Sequence, residues 1–131
     1  MSSNTTPTYT ANSAGNLRAS ASLGAGASDT VQLDIRSKFE AQIHVKNTPG
    51  GTVAATRGVK IEVFRNYGAT PTQGESPCLT RTMPSAAAST AEGDDFYLPT
   101  GNYAVKFTNL DASNAVTLVA TSDTIDDLET A

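Results

Sequence analysis

The sequence predicts an all-β protein: an antiparallel β-sandwich, jelly-roll or immunoglobulin-like, of about six to eight strands with an extended N-terminal arm. Three observations carry this expectation. Residues 29–46 alternate apolar or small side chains with polar ones without a break. Several shorter alternating runs follow, separated by clusters of Gly, Pro, Asn and Asp. No apolar run has the period of a helix of ordinary length.

In residues 29–46, Val31, Leu33, Ile35, Ser37, Phe39, Ala41, Ile43 and Val45 hold the odd positions. Gln32, Asp34, Arg36, Lys38, Glu40, Gln42, His44 and Lys46 hold the even ones. Successive side chains of a strand point to opposite faces, so this stretch has one apolar side and one wet side. A slip of one residue would bury five charged groups and a histidine, which specifies the register strongly. Fully extended, the stretch would reach about 50 Å, too long for a domain of this size. A bend or bulge is expected near Ser37, the one polar residue on the inner side.

The remaining elements follow in chain order. Residues 1–28 carry one charge, Arg18, and few large apolar groups, and read as an arm. Such an arm buries too little to fold alone, so docking on a neighbouring chain is the simplest way to hold it. Leu17, Ala19, Ala21 and Leu23 alternate weakly, which suits an added edge strand over 16–23, or else the first strand of the domain itself. Asn47 to Gly51 is a turn, with the loop running toward Gly58. Val59, Ile61 and Val63 begin a strand that runs toward Tyr67. Residues 68–77 form a loop, 78–83 a short strand closed by Pro84, and 85–95 a polar loop with one helical turn at Ala86 to Ala88. Phe96 to Leu98 leads into Pro99-Thr100-Gly101-Asn102, the residues of a tight turn, and Tyr103, Val105 and Phe107 alternate beyond it, so a hairpin is expected. Residues 109–114 turn again, and Val116, Leu118 and Ala120 mark the last strand. The divisions are an arm at 1–28, a sandwich at 29–121 and an acidic tail at 122–131.

Composition narrows the chemistry. The chain has 131 residues, no Trp, one Cys and a net charge of −4, all of it accounted for by Asp123, Asp126, Asp127 and Glu129 in the tail. A neutral body with an acidic end is not built to bind nucleic acid by bulk electrostatics. No apolar run reaches the roughly 20 residues of a membrane helix, and no basic, apolar leader opens the chain, so neither a membrane span nor a secretory signal is expected. His44 sits on the wet side between Gln42 and Lys46 and reads as solvated rather than catalytic. Cys78 reads as a small buried hydrophobe. Glu92, Asp94 and Asp95 cluster in a presumed loop without EF-hand spacing, and no metal or other cofactor is expected. Tyr9, Leu17, Arg18 and Leu23 in the arm, with Ile125 and Leu128 in the tail, are the candidates for contact with a partner.

Residues 33–41, 47–53, 59–63 and 98–121 together resemble a set of small β-sandwich structural proteins of tailed bacteriophages. In that set a strand of "D-L-S-x-K-F-G-A" type precedes a Gly/Thr/Pro turn, and a Pro-x-Gly-x-Tyr segment leads to an Asn-rich turn. Glu40 stands where the pattern often has Gly. The resemblance implies a non-enzymatic virion component, a capsid decoration or cement protein on the outer surface of the phage head. Its partners would be the major capsid protein and copies of itself, as a trimer. The alternative is a neck, tail or fibre component, including a carbohydrate-binding module for host recognition. For that alternative, Tyr67, Phe96 and Tyr97 lie near expected loops.

Overall fold

The computed structural model describes residues 9–11, 17–49, 58–65, 76–84 and 90–125. They form nine strands and, among the described residues, no helix. In order these are β1 (Tyr9–Ala11), β2 (Arg18–Leu23), β3 (Ser28–Asp34), β4 (Glu40–Pro49), β5 (Val59–Arg65), β6 (Leu79–Thr82), β7 (Glu92–Pro99), β8 (Asn102–Asn109) and β9 (Val116–Ile125). All pairings are antiparallel.

The pairing is nested. β2 pairs with β9, β3 with β8, β4 with β7 and β5 with β6, as in one long four-stage hairpin. Rolling that hairpin up brings β4 onto β9 and β5 onto β8. The result is two sheets, β1 and β2 along one edge of β9 followed by β4 and β7, and β3-β8-β5-β6. This is the strand order of a jelly roll. The expected all-β antiparallel sandwich is therefore what forms, and of its two named types the pairing selects the jelly roll.

The long alternating stretch supplies two strands, one in each sheet. β3 ends at Asp34, the chain turns through residues 35–39, and β4 begins at Glu40 in the other sheet. Sandwich corners are commonly made by a strand that bends from one sheet into the next. The break falls where Ser37 interrupts the apolar face. Leu33 before the corner, Ile35 at its start, and Ala41, Ile43 and Val45 after it, are all buried. Phe39 departs from this parity and is 50 % exposed, because it belongs to the turn and not to either strand.

The expected hairpin at residues 99–102 is a second corner instead. β7 pairs with β4, whereas β8 pairs with β3 and β5 across the sandwich. The two corners are laced together. Ile35 N donates to Gly101 O (2.8 Å), Thr100 N donates to Phe39 O (3.1 Å), and Thr100 Oγ1 donates to Ile35 O (3.0 Å). Beneath them the fully buried Tyr103 donates its hydroxyl to Pro99 O (2.7 Å) and accepts from Arg65 Nη2 (3.0 Å). Turn chemistry alone reads the same in both arrangements, and these contacts decide for the corner.

Three more expectations change. Glu92, Asp94 and Asp95 lie in β7 and not in a loop. β7 is an edge strand, where charge is tolerated, and Asp94 is held by Arg81 Nε and Nη2 of β6 at 2.6 and 2.7 Å. That bidentate pair clips the open edges of the two sheets together. Cys78 is exposed, because Leu79, Arg81 and Met83 take the inward parity of this segment. β9 continues to Ile125, so residues 122–125, assigned to the tail, belong to a sheet. The helical turn at Ala86 to Ala88 and the strand end toward Tyr67 lie outside the described residues.

Candidate functional site

The outer face of the five-stranded sheet is laid out in rows by its register. On β4 the outward residues are Gln42, His44 and Lys46, since Ala41, Ile43 and Val45 fill the core. Gln42 lies opposite Tyr97 of β7 and Asp123 of β9, His44 opposite Asp95 and Thr121, and Lys46 opposite Gly93 and Val119. Alternate residues of a strand are about 6.6 Å apart, so the three rows span roughly 13 Å. Tyr97 is 59 % exposed at one end. At the other end the missing side chain of Gly93 leaves the surface low beside Lys46.

A groove of about 380 Å³ runs over this face, lined by His44, Val45, Lys46, Ala91, Gly93, Asp95, Val119 and Thr121. Its walls combine apolar carbon with a few ionisable and hydroxyl groups, the composition of sites that orient a small ligand. A second recess of about 220 Å³ lies around Arg81 and Asp94, but these two side chains satisfy one another.

His44 is the chemical centre of the face. Its Nδ1 is 2.7 Å from Asp95 Oδ1 and its Nε2 is 3.2 Å from Asp123 Oδ2, so one imidazole bridges carboxylates from both neighbouring strands. The hydrogen bond to Asp95 raises the pKa of His44 above its ordinary 6.5. Partial burial opposes the rise, and the charges of both carboxylates and the bond to Asp123 reinforce it. The two ring nitrogens point to separate carboxylates and not toward one centre. Among the described residues no group of three or more His, Cys, Asp or Glu is placed to hold a metal ion.

The six residues singled out as partner contacts fall elsewhere. Tyr9 and Ile125 are register partners of each other, in β1 and β9. Leu17 is partly buried against the core, and its N donates to Ala120 O at 2.7 Å. Leu23 is a core residue, 4 % exposed. Arg18 is 8 % exposed and is turned inward at a bulge in β2. Its Nε donates to Asp29 Oδ2 (2.8 Å), and its Nη1 donates to Leu118 O (2.5 Å) and Ala21 O (3.2 Å). The surface in the arm that calls for a host thus meets β9 and β3 of this same chain. Leu128 lies outside the described residues.

His44 lies on the wet side, as its parity predicts, whereas its partners Asp95 and Asp123 are not evident from the sequence. They lie 51 and 79 residues away, in segments read as a loop and a tail. Their parity was the available signal. Phe96 and Leu98 point inward, which sends Asp95 and Tyr97 out, and Leu118 and Ala120 do the same for Thr121 and Asp123.

No family model matches the sequence, and no curated protein matches it. Solved structures do share the fold. The Clostridium thermocellum endo-1,4-β-D-xylanase 10B, comprising CBM22-1 and GH10 modules in complex with xylohexaose, matches with a TM-score of 0.51 at 10 % identity over 88 % of this chain and 26 % of that one. A family 35 carbohydrate-binding module from an environmental isolate matches with a TM-score of 0.49 at 16 % identity over 98 % and 89 %. The Aeromonas hydrophila periplasmic inhibitor of g-type lysozyme matches with a TM-score of 0.47 at 16 % identity over 91 % and 94 %. The chain spans 57 % of a CBM4 protein that it also matches. At these identities the likeness concerns the fold alone.

Proposed function

We propose that this protein is a non-catalytic glycan-binding module whose ligand lies across the outer face of the five-stranded sheet. The observation that carries the reading is the groove itself. It is shallow, and its low apolar floor at Ala91, Gly93 and Val119 is bordered by Asp95, His44, Lys46 and Thr121, with the exposed ring of Tyr97 one row away. Sugars offer the matching chemistry, with C–H faces for the apolar floor and the tyrosine ring and hydroxyls for the polar rim. The xylanase of which 26 % matches this chain was solved with xylohexaose, which makes that oligosaccharide a rational first probe.

An array of plant and microbial glycans, with xylohexaose included, tests the reading. We expect saturable binding to at least one class. Tyr97→Ala should weaken it roughly 2- to 10-fold, with the fold intact because the ring is exposed. An array without hits would sink the proposal.

A second reading is a structural component of a phage particle that decorates the outside of the capsid as a trimer on the major capsid protein. What favours it is the jelly-roll pairing, which capsid and lectin domains share, together with the resemblance to tailed-phage structural proteins. Copy number per virion, measured by mass spectrometry, separates the two. Parity with the major capsid protein supports decoration. A few copies support a neck, tail or fibre protein, where glycan binding would serve host recognition.

A further inference from the structure

We infer that His44 is a proton-controlled gate on the ligand face. With its imidazole charged, Nε2 and Asp123 are tied to each other. With it neutral, both are released to accept hydroxyl protons from a glycan. This rests on the glycan-binding reading and adds to it the acceptors, the ligand class and the control.

The geometry requires two states. Carboxylates only accept hydrogen bonds, so the contacts of 2.7 Å to Asp95 and 3.2 Å to Asp123 are both hydrogen bonds only while both ring nitrogens carry protons. A neutral ring carries one proton. The shorter contact keeps it on Nδ1, facing Asp95, which leaves the Nε2 lone pair facing the carboxylate of Asp123. Two acceptors then stand together with no donor between them. The side chain of Asp123 is 45 % exposed, so its carboxylate is within reach of a ligand on this face. A sugar with neighbouring hydroxyls supplies the missing donors, one proton to Nε2 and one to Asp123. Thr121, opposite His44 on β9, adds a hydroxyl beside them.

The charges around the ring fix the ligand class. Asp95 faces His44 from β7 and Asp123 from β9, and on β4 itself Lys46 follows one row away and Glu40 precedes beyond Gln42. With His44 neutral, two carboxylates face a single lysine across the central rows. That field disfavours an acidic sugar and leaves a neutral, hydroxyl-rich glycan as the ligand. The raised titration range of His44 is the expected mark of the closed state.

His44 is the only histidine in the chain, so its ring resonances report the gate without ambiguity in a proton NMR titration of the full-length protein. The probe is the strongest neutral binder of the array, beginning with xylohexaose. We expect its affinity to rise roughly 3- to 10-fold between about pH 5 and about pH 9. By reciprocity, saturating glycan should lower the pKa of His44 by the logarithm of the same factor. In His44→Gln the affinity should lose this dependence, while Asp123→Asn should lower it at high pH only. Folding stability should move the opposite way with pH, which a purely structural histidine would not couple to binding. A glycan that binds equally at both pH values, or more tightly at the lower one, overturns the gate and leaves the glycan site standing. Absence of binding at either pH overturns both.

Discussion

Removing the Arg18 guanidinium should unfasten the first long strand from its sheet, and the size of the loss follows from its contacts. Arg18→Met keeps an apolar stem of similar reach and deletes only the charged head. Five contacts go, of which those to Ala19 O (3.4 Å) and Ser22 O (3.5 Å) are long and weak. The ion pair with Asp29 is worth about 0–1 kcal/mol, because that carboxylate is 42 % exposed and screened by water. The bonds to Leu118 O and Ala21 O are charge-assisted, and the first is buried. Losing a charged donor to a buried carbonyl costs about 1.5–3 kcal/mol. Together we expect a loss of about 2–4 kcal/mol, or roughly 6–15 °C in Tm for a chain of this length. Urea denaturation is the assay, with the midpoint falling at unchanged slope. Asp29→Asn serves as the control and should cost under about 1 kcal/mol. A loss below about 0.5 kcal/mol for Arg18→Met would fall within the range of ordinary surface substitutions. It would refute the internal role and restore Arg18 as a residue available to a partner.

Three further outcomes are expected. The side chain of Asn47 is fully buried, with neither Oδ1 nor Nδ2 hydrogen-bonded among the described residues, so Asn47→Leu should stabilise by about 1–3 kcal/mol in the same denaturation experiment. A methyl group at Gly58 would stand 1.9 Å from Met83 O and 2.5 Å from Pro84 O, both backbone atoms, so Gly58→Ala should cost at least about 2 kcal/mol, read as a drop in Tm. Because the folded pKa of His44 lies above 6.5, its contribution to stability is complete below about pH 6.5 and is lost as pH rises through the raised value. The urea midpoint should therefore fall across that window in the parent and stay level in His44→Gln.

How much of this molecule the sequence discloses depends on whether a feature is local or lies across strands. Parity is local. The odd positions of residues 29–46 are read as core from the sequence alone, and Leu33, Ile35, Ala41, Ile43 and Val45 take that place. The break near Ser37 is legible too, because chain length and domain width are both known in advance. Partner choice is not local. Pro99-Thr100-Gly101-Asn102 has the same residues whether β8 folds back on β7 or crosses to β3 and β5. The deciding contacts, Thr100 to Ile35 and Phe39, come from the other corner, 61 to 65 residues earlier. The site suffers most from this blindness. Neither carboxylate is near His44 in the chain, and only the pairing of β4 between β7 and β9 sets one on each side of the ring. An acidic residue in a polar stretch reads as solvated wherever it occurs, and what distinguishes Asp95 and Asp123 is the single strand they flank. That strand also explains why the site sits where it does. β4 is an interior strand of its sheet, so an outward side chain at His44 has a neighbour on either side. The same side chain on an edge strand such as β3 or β6 would have only one. A bridging histidine therefore requires a position like this one, and the nested pairing of the jelly roll creates it by placing β4 between β7 and β9.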